Sequence, residues 1–127
     1  MVKQKKQPPT DRELQILTIL WSESPNTVRR VNEQMNKLQK TGYTTTLKLM
    51  QIMTEKGLLI CDKSKFQHTY KPAKSEEKTQ KQVVGDLLEK VFSGSAEKLV
   101  MRALSAKKVS PEELSKIKKM IDEMEAK

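Results

Sequence analysis

A chain of 127 residues with 35% apolar and 32% charged residues has room for one domain, or one small domain with a dimerisation appendage. Its single cysteine, Cys61, excludes an intramolecular disulfide and a paired-thiol metal site. No apolar run approaches the roughly 18 residues that a membrane-spanning helix needs, and the polar, basic start lacks the apolar segment of a secretory signal. These features predict a cytoplasmic protein that does not bind membranes directly.

The formal net charge of +9 is concentrated in one half of the chain. Residues 1–71 contain 13 Lys and Arg against 6 Asp and Glu, a net charge of +7, whereas residues 72–127 contain 12 against 10, a net charge of +2. An anionic partner is therefore expected on the N-terminal half. Charge alone would also suit a membrane surface or a solubilising face.

Residues 1–9 are basic, end in two prolines and contain little to bury, which predicts a flexible arm. Thr10 then starts a helix with a capping box, in which Glu13 reaches back to the first residue. Apolar residues at spacings of three and four predict a core-facing side on this helix, formed by Leu14, Ile16, Leu17, Leu20 and Trp21.

A second helix, capped by Thr27, is predicted from another apolar stripe at spacings of three and four. This inward stripe consists of Val28, Val31, Met35 and Leu38. Basic residues lie off the stripe and could reach a DNA backbone, although a solvated face is the commoner explanation for them. They are Arg29, Arg30, Lys37 and Lys40.

Thr41 and Gly42 end the second helix, and a third helix follows from Tyr43 to a closing glycine, Gly57. Its inward set is Thr46, Leu49, Met50 and Met53. Its complementary face offers hydroxyl, amide, ammonium and apolar groups that can meet base edges, thymine methyls or phosphates. This face consists of Thr44, Leu47, Lys48 and Gln51, and an ordinary polar helix surface is the competing interpretation.

Two strand-like runs, Leu58 to Asp62 and Phe66 to Tyr70, predict a β-hairpin around a Lys63-Ser64-Lys65 tip. Both lysines suit phosphate contacts, and they equally suit a plain soluble turn. Three short helices followed by a hairpin with a basic tip are typical of a winged helix-turn-helix, which favours DNA binding.

Catalytic and metal functions are not supported by the residue pattern. Cys61 and His68 are predicted to sit on facing strands, but two ligands are too few for a closed zinc site, which needs four. The chain shows no glycine-rich phosphate loop, no clustered carboxylates and no nucleophile with a base and an orienting group. We therefore predict no enzyme activity, no catalytic residue, no metal and no cofactor.

Residues 73–127 predict three amphipathic helices, with a break at Ser93-Gly94-Ser95 and a strong helix start at Ser110-Pro111. A segment of about 50 residues is too small for a core of its own, so its apolar faces most simply bury against a second copy of the chain. A monomer that folds them back onto residues 10–71 is the alternative. The predicted dimerisation residues are Leu87, Leu88, Val91, Phe92, Leu99, Val100, Leu104, Leu114, Ile117 and Ile121.

Several motifs follow one another in a characteristic order. The helix from Thr10 closes in Ile-Leu-Trp, Tyr43-Thr44-Thr45 leads to Glu55-Lys56-Gly57, and the Phe66 to Tyr70 strand follows. A helix around Leu99-Val100 and the Ser-Pro-Glu-Glu helix complete the set. From about Thr10 onward the chain resembles the penicillinase-repressor family, which includes β-lactamase and methicillin-resistance repressors and copper-responsive relatives.

The resemblance implies a mainly helical fold, with a winged helix-turn-helix domain at residues 10–72 and a helical dimerisation domain at residues 73–127. It also implies a homodimeric repressor of resistance-type genes, bound to double-stranded operator DNA of dyad symmetry. By position, the base- and phosphate-contacting residues fall on Thr44, Thr45, Leu47 and Lys48. Together with the elements above, the predicted DNA contacts are Tyr43, Thr44, Thr45, Leu47, Lys48, Gln51, Lys63 and Lys65.

In well-known members of that family, a membrane sensor protease leads to cleavage of the repressor and relief of repression. By position the scissile bond falls between Arg102 and Ala103, where those members carry an Asn-Phe pair. Helix three also departs at Ile52, often Arg in the family, and at Thr46, often a β-branched apolar residue. The C-terminal cysteine cluster of the copper-sensing branch is absent.

Two function classes remain from the residues themselves. The first is a sequence-specific repressor that occludes a palindromic operator. The second is a protein-interaction adaptor whose winged helix does not bind DNA, since a fold does not determine a function. The uneven charge favours the first.

Overall fold

The N-terminal part of the chain consists of three helices and an antiparallel hairpin. We describe residues 8–127 from a computed structural model; most of the predicted arm, residues 1–7, lies outside the described residues. The elements are α1 (Asp11–Ser22), α2 (Val28–Leu38), α3 (Tyr43–Glu55), β1 (Leu59–Asp62) and β2 (Thr69–Pro72). Three further helices follow, α4 (Glu76–Lys90), α5 (Ala96–Ala106) and α6 (Pro111–Glu125). This order confirms the predicted fold class, a winged helix-turn-helix followed by a helical region.

Side-chain caps start most of the helices where the sequence predicts them. At α1, Thr10 Oγ1 accepts from the Glu13 backbone N–H and the Glu13 side chain accepts from the Thr10 N–H, so the capping box is complete. Thr27 caps α2 and Ser110 caps α6, with a proline in the first turn of α6.

The end of α3 is a Schellman motif built on Gly57. The Gly57 N–H donates to the Thr54 carbonyl at 3.1 Å, and the Leu58 N–H donates to the Met53 carbonyl at 2.8 Å. Gly57 has φ +81°, a left-handed conformation that glycine adopts without steric cost. The chain therefore leaves α3 at a defined angle and enters β1 directly.

The core of the N-terminal part lies where α1, α2, α3 and the hairpin meet. Its buried apolar residues are Ile16, Leu17, Ile19, Leu20, Val28, Val31, Met35, Met50, Met53, Leu59 and Tyr70. Leu14, Trp21 and Leu49, predicted to face inward, are partly buried around this cluster. Trp21 lies at its edge because its indole N–H donates to the Lys74 carbonyl at 3.2 Å. Ile19 was missing from the predicted face.

Leu38 does not belong to the core, and its predicted inward position is wrong. It is 65% exposed, since it is the last residue of α2 and the chain turns to extended backbone at Gln39. The apolar stripe of α2 therefore ends one turn earlier, at Met35.

The second hairpin strand begins later than the sequence pattern suggested. It starts at Thr69 instead of Phe66, so Cys61 pairs with Tyr70, and the prediction that His68 lies on the facing strand is wrong. The reason is a non-local contact: the Asn26 N–H donates to the Tyr70 carbonyl at 3.0 Å, and the Tyr70 N–H donates to the Asn26 carbonyl at 2.8 Å. This bridge, with the buried Tyr70 ring, sets the register and leaves residues 63–68 as a loop, the wing loop.

The chain divides into two compact units, the first ending at Gly85 and the second spanning Asp86–Lys127. The division falls inside α4. In the second unit Ser93 and Gly94 have positive φ angles of 51° and 80° and separate α4 from α5, at the predicted break. No residue of Asp86–Lys127 is buried.

Candidate nucleic-acid interface

The outer face of α3 is polar, exposed and close to the start of the helix. Burial of Thr46, Met50 and Met53 sets the rotation of the helix. The opposite face is thereby left to solvent, and its exposed residues are Tyr43, Thr44, Thr45, Lys48 and Gln51. Leu47 lies between the two faces and packs against the core. The structure thus exposes five of the six predicted α3 residues, and Leu47 lies at the edge of the exposed face.

The first turn of α3 offers backbone donors in addition to side chains. Its N-cap is Gly42, which has no side chain to accept from the free N–H groups of the first turn. The partial positive charge of a helix N-terminus favours an anion there, and backbone N–H groups are frequent phosphate ligands. The first turn of α3 is therefore suited to a DNA phosphate.

A partly buried polar network holds α3 against α2. The Asn32 amide donates to Thr46 Oγ1 and to the Thr41 carbonyl, both at 2.9 Å. Asn36 Oδ1 accepts from the Thr41 N–H at 2.9 Å, and Arg12 of α1 donates to Thr41 Oγ1 at 3.0 Å. Because these bonds join both helices to the turn between them, the angle of the helix-turn-helix is fixed by polar contacts as well as by packing.

An ion pair holds the other end of α3. Lys56 Nζ lies 2.9 Å from Glu13 Oε2, whose side chain is 3% exposed. Burial raises the pKa of Glu13, but the backbone N–H of Thr10 and the Lys56 ammonium lower it more, so the net pKa lies below the ordinary 4.5. The charged form of Glu13 is therefore the stable one, and it ties the C-terminus of α3 to the start of α1.

The wing loop carries two exposed lysines, Lys63 and Lys65, on a firmly attached hairpin. The Ser64 side chain donates a hydrogen bond to Asp62, and the Ser64 N–H donates to Asp62 Oδ1 at 2.9 Å. Both bonds lower the pKa of Asp62. Beneath the loop, burial and a hydrogen bond with Cys61 raise the pKa of Tyr70 to about 12, so its phenol stays neutral. The lysines are exposed to an anion, and the buried Tyr70 beneath them carries no charge.

The predicted dimerisation residues lie on exposed or half-buried helix surface. Large apolar side chains of the C-terminal helices are 41–64% exposed at the predicted positions Leu87, Val91, Val100, Leu114 and Ile121. Leu88, Phe92, Leu99, Leu104 and Ile117 are half-buried. Methionines that the prediction did not include add to this surface: Met101, Met120 and Met124, each more than 60% exposed. Arg102 and Ala103 are exposed within α5.

Other binding chemistry has little support between Pro8 and Lys127. In that range no three His, Cys, Asp or Glu side chains are close enough together to hold a metal ion. No helix there combines the length and the apolarity that crossing a bilayer requires.

Sequence comparison adds an independent line of evidence. A family model described as penicillinase repressor matches residues 9–123. The chain is 25% identical over 118 residues to two proteins called transcriptional regulator BlaI, from Mycobacterium tuberculosis strains CDC 1551 / Oshkosh and ATCC 25618 / H37Rv. Each alignment covers 91% of this chain and 84% of the relative.

Proposed function

Since the chain belongs to the penicillinase repressor family, whose members are DNA-binding transcriptional regulators and not enzymes, we propose that it is a homodimeric repressor that occludes a palindromic operator. The membership confirms the prediction that the chain is not an enzyme. The observation that carries the proposal is the outer face of α3, which is exposed and polar while buried contacts hold the helix at both ends. We extend the proposal to a cytoplasmic location and to control of resistance-type genes.

The charge and shape of the N-terminal unit support contact with duplex DNA. A major groove admits an α-helix, and hydroxyl, amide and ammonium groups such as those of Thr44, Gln51 and Lys48 can bond base edges. Lys63 and Lys65 of the wing loop would then meet backbone phosphates beside the groove. The net charge of +7 on residues 1–71 favours DNA over a neutral protein partner.

Exposed apolar surface on the C-terminal helices supports the dimer. Asp86–Lys127 buries no residue, yet leucine, isoleucine, valine and methionine side chains line its helices. Many exposed large apolar side chains on one segment indicate an interaction site, and a second copy is the simplest partner. Two-fold symmetry would present two α3 helices to the two half-sites of a palindrome.

Relief of repression would follow from loss of the dimer. Cleavage between Arg102 and Ala103 would remove the end of α5 and all of α6, and with them much of the proposed dimer surface. The enzyme would be a protease under the control of a membrane sensor. Co-expression of such a protease with this chain should produce a fragment ending at Arg102, detected by mass spectrometry. An uncut chain would remove proteolysis from the proposal.

DNA binding is tested with the duplex upstream of the protein's own coding sequence. The wild-type chain should bind it more tightly than a duplex of mixed sequence. Its log K should fall linearly with the logarithm of the salt concentration, with a slope of roughly −0.9 for each phosphate that the protein neutralises. Lys48→Ala should weaken binding to the upstream duplex by about 1–3 kcal/mol if Lys48 contacts a base. Equal losses on both duplexes would identify Lys48 as a phosphate contact. Absence of binding at low salt would favour the adaptor alternative.

A further inference from the structure

A groove lies between α3 and the wing loop. Three elements line it: the start of α2 with Thr27, Val28 and Arg29, the first turns of α3 with Tyr43 and Leu47, and the hairpin with Phe66, Gln67, His68 and Tyr70. It therefore separates the exposed face of α3 from the lysines at the tip of the wing loop.

The lining of this groove suits an anion. None of its nine residues is a carboxylate, and Arg29, Gln67 and His68 can all donate hydrogen bonds. Arg29 is exposed and makes no ion pair with any residue from Pro8 onward. The neighbouring Arg30 is different, because Glu23 and Glu33 hold it at 3.0 Å and 3.3 Å.

The position of the groove identifies the anion, given the proposed function on which this step rests. If α3 enters a major groove and the wing loop reaches the adjacent minor groove, the DNA strand that separates the two grooves must pass between them. That strand presents one phosphate per nucleotide to whatever lies beneath it. We propose that this groove seats a backbone phosphate of the bound duplex, held by Arg29 from α2 and His68 from the wing loop.

Arg29 reaches the groove from α2 and His68 from the wing loop, so the seat would hold the phosphate from two sides. The Arg29 guanidinium supplies a permanent charge with several N–H donors, and the His68 ring supplies an N–H donor. The remaining ionisable groups that line the groove are Tyr43 from α3 and Tyr70 from β2, and Lys63 and Lys65 share the wing loop with His68. Tyr70 stays neutral, since its pKa is raised to about 12.

The arginine is tested by fluorescence anisotropy on the full chain, with the upstream duplex and a mixed-sequence duplex as probes. Arg29→Gln should lower the slope of log K against log salt by about 0.9 and weaken both duplexes by a similar factor. Arg30→Gln, the matched control on the same turn, should leave the slope unchanged. The proposal is overturned if Arg29→Gln keeps the wild-type slope, or if only the upstream duplex is affected.

The histidine is tested by repeating the titrations with His68→Ala and His68→Gln. His68→Ala should weaken both duplexes several-fold and by a similar factor, and His68→Gln, which keeps a hydrogen-bond donor, should bind both more tightly than His68→Ala. Wild-type affinity in His68→Ala would overturn the proposal. If wild type binds neither duplex at low salt, the proposed function fails as well, whereas binding without the Arg29 and His68 effects removes the phosphate seat alone.

Discussion

Glu13 stabilises the start of α1 and also holds the C-terminal end of α3 in place. Its carboxylate completes the capping box of α1 and also accepts from Lys56, just after α3. Breaking a charged hydrogen bond to a buried group costs more than breaking an exposed one, because the partner left behind stays desolvated. The orientation of α3 therefore depends on a residue far from the proposed interface.

Lys56→Met should destabilise the protein by about 1–2 kcal/mol, since Glu13 keeps its burial and loses a partner. The control is Lys40→Met, another exposed lysine, for which the change should stay within about 0.5 kcal/mol. Urea denaturation followed by circular dichroism measures both. Equal midpoints for the two variants would show that the ion pair contributes nothing.

The same carboxylate should make stability depend on acid pH. The pKa of Glu13 is lower in the folded chain than its ordinary value of 4.5, so its contribution is complete above that value and is lost as the pH falls through the folded pKa. Between about pH 5 and pH 3, wild type should therefore lose more stability than Glu13→Gln. Parallel losses in urea midpoint would contradict this assignment.

Two neighbouring threonines of α3 should separate stability from DNA binding. Thr46 is fully buried and accepts from Asn32, whereas Thr45 is exposed on the outer face. Thr46→Val keeps the shape but removes the acceptor, and should cost about 0.5–1.5 kcal/mol of unfolding free energy. Thr45→Val should leave stability within about 0.5 kcal/mol of wild type and weaken binding to the upstream duplex. The opposite pattern in denaturation and anisotropy would reverse the two roles.

At the scale of elements, the two ends of α3 determine which backbone groups it leaves free and in which direction the chain continues. Gly42 leaves the first turn open to an anion, and the Schellman motif at Gly57 directs the chain into β1. The second feature depends on a left-handed φ angle that residues with a Cβ adopt only with strain. Gly85, inside α4, has no such requirement.

Gly57→Ala should therefore destabilise the protein by about 1–2 kcal/mol, the cost of a left-handed alanine. No atom lies within 4 Å of the added Cβ, so the effect is conformational and not a clash. Gly85→Ala has an equally open Cβ site but lies inside α4, where alanine should stabilise by about 0.5–1 kcal/mol. Thermal melts should move in opposite directions, and a shift of the same sign would refute the explanation.

Local patterns predicted the elements well and the contacts between distant residues poorly. Apolar periodicity and capping residues located the six helices of residues 8–127, because both signals lie within a few neighbouring residues. The strand register was missed because it depends on Asn26, which is 44 positions from Tyr70. The Glu13–Lys56 pair and the Asn32–Thr46 bond have no local signature either. The bond to Asn32 gives the Thr46 hydroxyl a structural role that the sequence pattern did not indicate.

At the scale of the whole molecule, the candidate interface divides into parts that were predictable to different degrees. The outer face of α3 follows from helical phase, which burial of three residues determines. The groove beside it was not predictable, because residues 66–68 line it from the wing loop. Their place in a loop depends on the register of β1 and β2, which the sequence pattern did not predict. The apolar C-terminal faces were visible as stripes, and the structure adds that none of their residues is buried.

Polar substitutions on the apolar face of α6 should dissociate the proposed dimer. Leu114→Gln combined with Ile121→Gln should shift the molecule to monomer in sedimentation analysis and weaken binding to a full palindrome more than to a half-site. Lys119→Gln, on the opposite side of α6, should change neither. A double variant that stays dimeric would place the dimer contact elsewhere.

The absence of buried residues in Asp86–Lys127 has a consequence for gene dosage. On the proposed dimer, the C-terminal helices gain their packing only when two chains meet, so assembly depends on the square of the chain concentration. Operator occupancy would then rise steeply over a narrow range of expression. Below that threshold, newly made chains would present loosely packed helices to cellular proteases, and the pool would be cleared rather than accumulate. Such a repressor would switch off by dilution alone during a few rounds of growth.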